Sequence, residues 1–447
     1  MSTATETLLA YSAGPKSKAL FEEEQKYIAP GLQSIALFSQ LAMDSGSGCT
    51  LKDVDGKEYL DFVAGIGVAS LGYGHPGYVK ALSEQVAKIG VGSFTTERRL
   101  SFVKNLASVA PKGMTRIQLY SSGAEGVEAA LRLAKSRTKK FEFVSFWGGF
   151  HGKTGGVLPL LADSFKFGLG PLMPGLYCSP YPDPRRCPLG AEGEHDCGAH
   201  CLSFLREMLK RETTGSLAAI LLEPIQGTNG NIIPPAGFVK GVAEIARENG
   251  GLFLSDEMIT GFGRTGKWFG CDHEGVIPDI MTVGKGMAGG FPVSGVIASS
   301  EIAESKPFAN PSGSSSSYGG NPLASAAADA TLSAIIKDKL VENSARVGAA
   351  LLKRLQALRE RSPLIGAVRG RGLMIGIDLI EPKSRKALDA KICRELFEEC
   401  LRRGLMTMSY NPSFRINPPL VISEKEALAG ADILDEALAA VAKRRGL

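Results

Sequence analysis

The sequence predicts an α/β fold in which a large domain on a mostly parallel sheet is joined to a smaller α+β domain. Two observations predict it. Short apolar runs of β character alternate with helix-period segments through the middle of the chain, as parallel strands and their crossover helices do. Near residue 310 the alternation stops at a Gly/Ser-rich loop, NPSGSSSSYGGNP, after which a long helical stretch and a new set of short strands follow.

Taken in order, IQLYSSGAEGVEAALRLAKS reads as strand, turn and helix. Val127, Ala130, Leu131 and Ala134 supply the i, i+3, i+4, i+7 stripe of a core-facing helix. LAAILLEP, GGLFLSDEM and DIMTVGKG are each a short apolar run that ends at a polar or charged residue. Ligands of open α/β sheets bind beyond the carboxyl ends of the strands, so Glu223, Asp256 and Lys285 are expected to converge on one crevice. Pro322 suits the first turn of a helix, and the helical pattern runs over about 322–361. Beyond it, GLMIGIDLI, LMTMS and FRINPPLVIS read as strands of the smaller domain. The expected division is 1–60 as an N-terminal segment joining the small domain, 61–327 as the large domain and 328–447 as the C-terminal small domain, the last boundary falling within 325–335. The sequence carries no internal repeat.

The 447 residues suffice for two or three domains or one large two-domain enzyme. Hydrophobic residues make up 44% and charged residues 22%, close to the roughly 45–50% and about 25% of ordinary globular chains, which excludes disordered and fibrous classes. The 54 glycines exceed the usual level of about 7% and imply tight turns or close backbone approaches to a ligand. A net charge of +5 is small for this length, and the clusters KSRTKK and KRR read as solvated helix ends, not as a nucleic-acid surface. No apolar run approaches the roughly 18 residues that span a bilayer. MSTATETLLAYSAGPK has neither a basic leading region nor a long apolar core, and the first arginine is Arg98, so the expected location is the cytoplasm. Four of the eight cysteines, Cys178, Cys187, Cys197 and Cys201, share YCSPYPDPRRCPLGAEGEHDCGAHC with His195 and His200. The set lacks paired C-x-x-C spacing, so a Pro-rich loop with reduced thiols is expected ahead of a zinc site, and no catalytic metal is expected.

Three segments carry chemistry. In YSSGAEGVEAA, a turn with Gly123 directly before a helix exposes backbone N–H groups and the positive end of a helix dipole, an arrangement that binds phosphate. Ser122 is either an added hydroxyl donor there or the helix cap. In LFLSDEMITGFGRTG, Asp256 at a strand end suits a partner that keeps a ring nitrogen protonated, as pyridoxal phosphate requires of its electron-sink pyridinium. In DIMTVGKGMAGGFPVSG, Lys285 sits between glycines after an apolar run. Apolar surroundings lower a lysine's pKa by disfavouring its charged form, which leaves a nucleophilic amine able to form a Schiff base.

In order, SSGAEGVEAA, WGGFHGKT, ILLEPIQG, LSDEMITGFGRTG, TVGKGMAGGFP and SSYGGNP resemble the class III aminotransferases, fold type I pyridoxal-phosphate enzymes that include the omega-transaminases. The resemblance spans about residues 45–425 and implies that the large domain binds the cofactor. It implies that Lys285 carries the cofactor, that Asp256 pairs with the pyridine nitrogen, and that Gly123 and Ala124, with Ser122 nearby, bind the phosphate. Phe150 matches the aromatic residue stacked on one face of the ring, His151 holds a supporting place, and Met258 matches the aliphatic residue over the opposite face. Ser317 stands where the family usually has a threonine reaching the phosphate of the neighbouring subunit's cofactor. Arg415 matches the arginine that grips an α-carboxylate through two parallel hydrogen bonds.

Departures from the family's ornithine and 4-aminobutyrate enzymes narrow the reading. Ile259 replaces a glutamine, Lys153 replaces an arginine, and Thr228 replaces the glutamate that pairs with the carboxylate-binding arginine. These changes point toward the amine- or omega-amino-acid:keto-acid branch. The implied activity is transfer of an amino group from a primary amine or omega-amino compound to a keto acid, pyruvate or 2-oxoglutarate, in two half-reactions. The competing readings are an epimerase, racemase or aminomutase on the same fold, and a silent binding protein, which the presence of both Asp256 and Lys285 disfavours. A dinucleotide oxidoreductase is set aside because no G-x-G-x-x-G opens a helix after an early strand. The resemblance also implies a homodimer with shared sites, Ser317 and Tyr318 coming from the partner chain.

Overall fold

A computed structural model describes residues 13–162, 164–190 and 194–447. The leader region read above falls largely outside them, as does the side chain of His195. The centre is a seven-stranded sheet. Its order across the sheet is Arg116–Tyr120, Ser294–Ala298, Ile280–Val283, Leu252–Asp256, Leu217–Leu222, Glu142–Phe146 and Leu176–Ser179. Ser294–Ala298 runs antiparallel to both neighbours, and the remaining pairs are parallel. Parallel strands are covered on both faces by helices, so they read as unbroken apolar runs. Every residue of Leu217–Leu222 and of Ile280–Val283 is buried accordingly.

The helix Gly123–Thr138 follows the first strand of this sheet and buries the expected stripe of Val127, Ala130, Leu131 and Ala134, with Ala129 and Leu133 beside it. Phe238–Glu248 does the same with Val239, Val242, Ala243 and Ala246. Each fully buried Val or Leu contributes roughly 1.5–3 kcal/mol, which ties these helices to the sheet and fixes where their N-termini point.

The stretch 322–361 differs from the single helix expected. It forms two helices, Pro322–Lys337 and Leu340–Arg361. Lys339 takes a left-handed φ of 52° between them, which stops the hydrogen-bond ladder without a glycine or proline to announce it. The second helix begins by burying Leu340 and Val341. Two small sheets complete the fold. Ile365–Arg371, Met374–Leu379 and Ser413–Ile416 form an antiparallel three-stranded sheet. Met43–Ser47, Thr50–Asp53 and Glu58–Asp61 form another, to which only Leu405–Met406 of the LMTMS segment adds a parallel strand. The chain's beginning is thereby hydrogen-bonded to its C-terminal part.

Candidate active site

The carboxyl ends of the parallel strands deliver the predicted residues. Glu142–Phe146 leads to Phe150 and His151, and Leu217–Leu222 leads to Glu223. Leu252–Asp256 ends on Asp256, and Ile280–Val283 is followed by Gly284 and Lys285. The strand Arg116–Tyr120 ends at the Ser121–Ser122 turn.

At that turn Ser122 is the cap of the helix Gly123–Thr138, its Oγ accepting the Glu125 N–H at 3.2 Å. The hydroxyl hydrogen stays free to donate elsewhere, so capping and anion binding are compatible. The Ser121 N–H donates to Glu125 Oε2 at 2.9 Å, whereas Ser121 Oγ is buried without a partner. Among the described residues the N–H groups of Gly123 and Ala124 meet no protein acceptor in this first turn. Orphan donors at the positive end of a 16-residue helix are a ready anion site.

Asp256 is buried at the strand end. Its Oδ1 accepts the Thr282 hydroxyl at 3.0 Å and the Met258 N–H at 3.1 Å, and its Oδ2 lies 2.7 Å from His151 Nδ1. Burial disfavours the charged imidazole, but the hydrogen bond and charge of Asp256, helped by Glu223, outweigh it and raise the His151 pKa. His151, given a supporting place from sequence, is thus the direct partner of Asp256. Glu223 accepts the Phe150 N–H at 2.8 Å and the Gly227 N–H at 3.0 Å, one on each oxygen, and burial raises its pKa while His151 opposes.

Lys285 has a left-handed φ of 43°, a conformation that costs an L-residue free energy and that recurs at functional sites. Its amine makes no hydrogen bond or ion pair among the described residues. Burial depresses its pKa, Glu223 and Asp256 oppose, and Arg415 adds to the depression. Next to it, a Cβ on Gly284 would lie 2.6 Å from Met258 Sδ and one on Gly123 would lie 3.4 Å away. The glycines make room for Met258 beside the Ser121–Ser122 turn.

Arg415 lies on Ser413–Ile416, opposite Gly376. The loop before Gly230 presses on this sheet, since a Cβ at Gly376 would meet Gly230 O at 2.2 Å. No hydrogen bond or ion pair holds Arg415 among the described residues, and burial lowers its pKa against the opposing fields of Tyr410 and Glu223. Ile259 is buried with Ile225 and Met374. Lys153 is exposed with its Nζ 4.4 Å from the Phe165 ring centre. Ser317 and Tyr318 are exposed and stand outside this cluster. The sequence reading missed one wall altogether. Ala64, Gly65, Ile66 and Gly67 form a left-handed turn with φ of 49°, 59°, 68° and 76°, anchored by Asp61 through the N–H groups of Val63 and Ala64 and packed at Gly67 against Ile259.

Of the cysteine loop, Cys178 bonds instead to Ser145 and the Pro159 and Leu160 carbonyls. Cys197 and Cys201 are buried, and burial together with contact to Cys187 and to each other raises the Cys197 thiol far above its usual range. Among the described residues no group of three His, Cys, Asp or Glu side chains is arranged to hold a metal ion.

Free N–H donors at a helix N-terminus, a hydroxyl without a partner, a carboxylate fixed at a strand end and an unpaired amine suit pyridoxal phosphate as a donor set. Comparisons with known proteins agree. The profile of the class-III aminotransferases matches residues 35–438. The alanine/serine racemase of Pyrococcus horikoshii is 36% identical over 441 residues, covering 95% of this chain and 91% of the racemase. The diaminobutyrate–2-oxoglutarate aminotransferase of Rhizobium meliloti is 34% identical over 427 residues, covering 91% and 88%. An amine transaminase from an uncultivated Pseudomonas species, solved in its PLP-bound form, superposes with a TM-score of 0.87 at 29% identity over 93% of this chain and 98% of its own. The chain belongs to the class-III aminotransferases, and its cofactor is pyridoxal phosphate.

Proposed function

We propose that this aminotransferase moves an amino group from a primary amine or omega-amino compound to pyruvate or 2-oxoglutarate in two half-reactions, with Lys285 as the covalent anchor and proton carrier. One observation carries the reading: among the described residues the amine of Lys285 is left without a hydrogen bond or ion pair near Asp256 and Glu223, in surroundings that lower its pKa. Pyridoxal phosphate, when bound, supplies a carbonyl that takes up the amino group and a ring that accepts the electron pair of the substrate carbon. Gly123, Ala124 and Ser122 would hold its phosphate, Phe150 and Met258 its two faces, and Asp256 its ring nitrogen. The His151–Asp256 contact keeps that carboxylate oriented. The Nζ of Lys285 takes a proton from the amino-bearing carbon and returns it at the neighbouring position, and Arg415 holds the carboxylate of the keto acid. Residues 61–327 form the cofactor-binding domain in this reading, with 1–60 and 328–447 making up the smaller part.

Each site is completed by a second copy of the chain, which contributes Ser317 and Tyr318. The stretch 86–100 supports this, since it leaves Val86, Ile89, Val91, Phe94 and Leu100 exposed, apolar surface that a monomer would not leave uncovered. The expected location is the cytoplasm, and no described helix is long and apolar enough to cross a membrane.

The test is spectroscopic. Protein reconstituted with pyridoxal phosphate changes colour on adding an amino donor and reverts on adding a keto acid, and borohydride reduction fixes the label on Lys285. Label retained elsewhere, or none, overturns the assignment. A dilution series should show activity falling as dimers dissociate, and a fully active monomer would reject the shared site. The racemase relative supports a second reading, in which the amino group returns to the same molecule. Turnover that needs no keto acid selects it.

A further inference from the structure

The loop that carries Ser317 and Tyr318 is braced from the edge of the seven-stranded sheet. It runs from the buried Phe308 to the helix Pro322–Lys337, beside the edge strand Arg116–Tyr120. A cavity of about 360 Å³ lies between residues 308–315 and the strands Arg116–Tyr120 and Ser294–Ala298, so apolar packing does not fix the loop there. Hydrogen bonds do. The Tyr120 hydroxyl is bonded to Ser314 Oγ, and both side chains are buried. Gln118 Nε2 donates to the Ser314 carbonyl at 3.2 Å, and Arg132 donates to the Gly313 carbonyl at 3.1 Å.

The other end is held as well. Asn321 caps the helix, its Oδ1 accepting the Ala324 N–H at 2.9 Å and its Nδ2 donating to the Tyr318 carbonyl at 2.7 Å. A Cβ at Gly319 would lie 2.2 Å from the Leu119 carbonyl oxygen, so the backbone rests directly on the strand. Ser317 stands exposed between these two holds, three residues past Ser314. Tyr120 also directly precedes the Ser121–Ser122 turn. One strand end therefore sets the phosphate turn of its own site and braces the loop offered to the neighbouring one. A loose loop serine loses conformational freedom when it grips an anion, which weakens the grip, whereas a loop held in advance does not.

We infer that Tyr120, together with Ser314, is a positioning residue that acts across the dimer: it holds Ser317 where the serine hydroxyl meets the phosphate of the neighbouring subunit's cofactor. This rests on the shared-site reading above and names the residues on which that reading depends.

The experiment measures cofactor affinity by equilibrium dialysis in the Lys285→Met background, where no covalent bond masks the noncovalent contacts. Ser317→Ala removes one hydrogen bond to an anion and should weaken pyridoxal phosphate binding about tenfold. Tyr120→Phe and Ser314→Ala should each weaken it at least about threefold. Neither should weaken it further once Ser317 is replaced by alanine. Pyridoxal, which lacks the phosphate, should bind every variant as it binds the parent. Equal losses for pyridoxal and pyridoxal phosphate would mean general damage to the site and would overturn the inference.

Hybrid dimers then show which subunit is served. One chain carries Lys285→Met together with the test substitution, the other is unchanged, and release of cofactor is followed from the intact Lys285 alone. Tyr120→Phe on the Lys285→Met chain should speed that release, as Ser317→Ala on the same chain does. If Ser317→Ala acts across the dimer and Tyr120→Phe does not, the inference fails and the shared site stands. If neither acts across the dimer, both fall.

Discussion

Two regions of the molecule treat an arginine in opposite ways. In the GFGRTG loop, Arg264 is 2% exposed and wired to the backbone, with its guanidinium on the Leu373 and Pro418 carbonyls and its own carbonyl accepting the Leu373 N–H at 3.0 Å and the Ser344 hydroxyl at 3.0 Å. On the nearby strand Ser413–Ile416, the half-buried Arg415 guanidinium has no hydrogen bond or ion pair among the described residues. The first cation holds the three-stranded sheet and its helices against the loop that follows Asp256. The second adds nothing of that kind to the fold. Lys285 belongs with Arg415, being half-buried, strained and without a hydrogen bond or ion pair among the described residues. A folded chain bears such groups when a ligand supplies what the protein withholds.

The largest effect should come from Lys285→Met. Turnover should drop by roughly 10⁴-fold, since both the anchoring amine and the proton carrier go, while the melting temperature of the apoprotein stays level or rises. A variant that melts much lower would move Lys285 to the structural side of the comparison. Next is the pair of arginines themselves. Arg264→Met should lose about 3–5 kcal/mol in urea unfolding because two buried carbonyls lose their donor. Arg415→Met should lose less than about 1 kcal/mol. Equal losses would erase the distinction between the regions. Smaller again, Ser122→Ala removes a helix cap worth about 1 kcal/mol. Glycine costs the cap only roughly a few tenths of a kcal/mol but lacks the hydroxyl as alanine does. If the hydroxyl meets the phosphate, Ser122→Gly and Ser122→Ala should therefore weaken cofactor binding alike in equilibrium dialysis, whereas a loss confined to Ser122→Ala would assign the effect to the cap.

The sequence was most readable where one physical signal decides the outcome. Continuous apolar runs announced Leu217–Leu222, Leu252–Asp256 and Ile280–Val283, and the rule about strand ends then brought Glu223, Asp256 and Lys285 together. Tertiary contacts decided the rest. Nothing in the residues around Lys339 marks a helix break, since the chain turns there to bury Leu340 and Val341. The left-handed turn at Ala64–Gly67 includes a β-branched Ile66, which propensity argues against, and it exists because Asp61 holds its first N–H groups. His151 held only a supporting place in the sequence, and Glu223 only a place at a strand end. Their meaning lies in partners 105 and 73 positions distant in sequence, Asp256 and the Phe150 N–H.

The subtlest test uses pH to ask whether Lys285 is held as an amine waiting for a carbonyl. Its pKa is lowered by burial from an ordinary value of about 10.4. Between the lowered value and the ordinary one the unfolded chain binds more protons than the folded one, so this residue's contribution to stability rises with pH across that window. Below the window both states hold the proton and the cost of the buried charge is fully present. His151 runs the other way, because its pKa is raised: its contribution is complete below about 6.5 and fades as pH climbs through the raised value. Comparing apoprotein with Lys285→Met reads the first effect on the alkaline side, well above the ordinary histidine range, because the same change also removes the Lys285 charge that lowers the His151 pKa. The melting temperature of Lys285→Met minus that of the parent should be largest in mildly acidic buffer and should shrink steadily toward alkaline pH. The rate at which apoprotein captures pyridoxal phosphate should climb over the same interval and level off before the ordinary lysine value. A difference that grows with pH, or a capture rate still rising beyond that value, would mean that Lys285 keeps its charge in the fold and that its bareness is no preparation for chemistry.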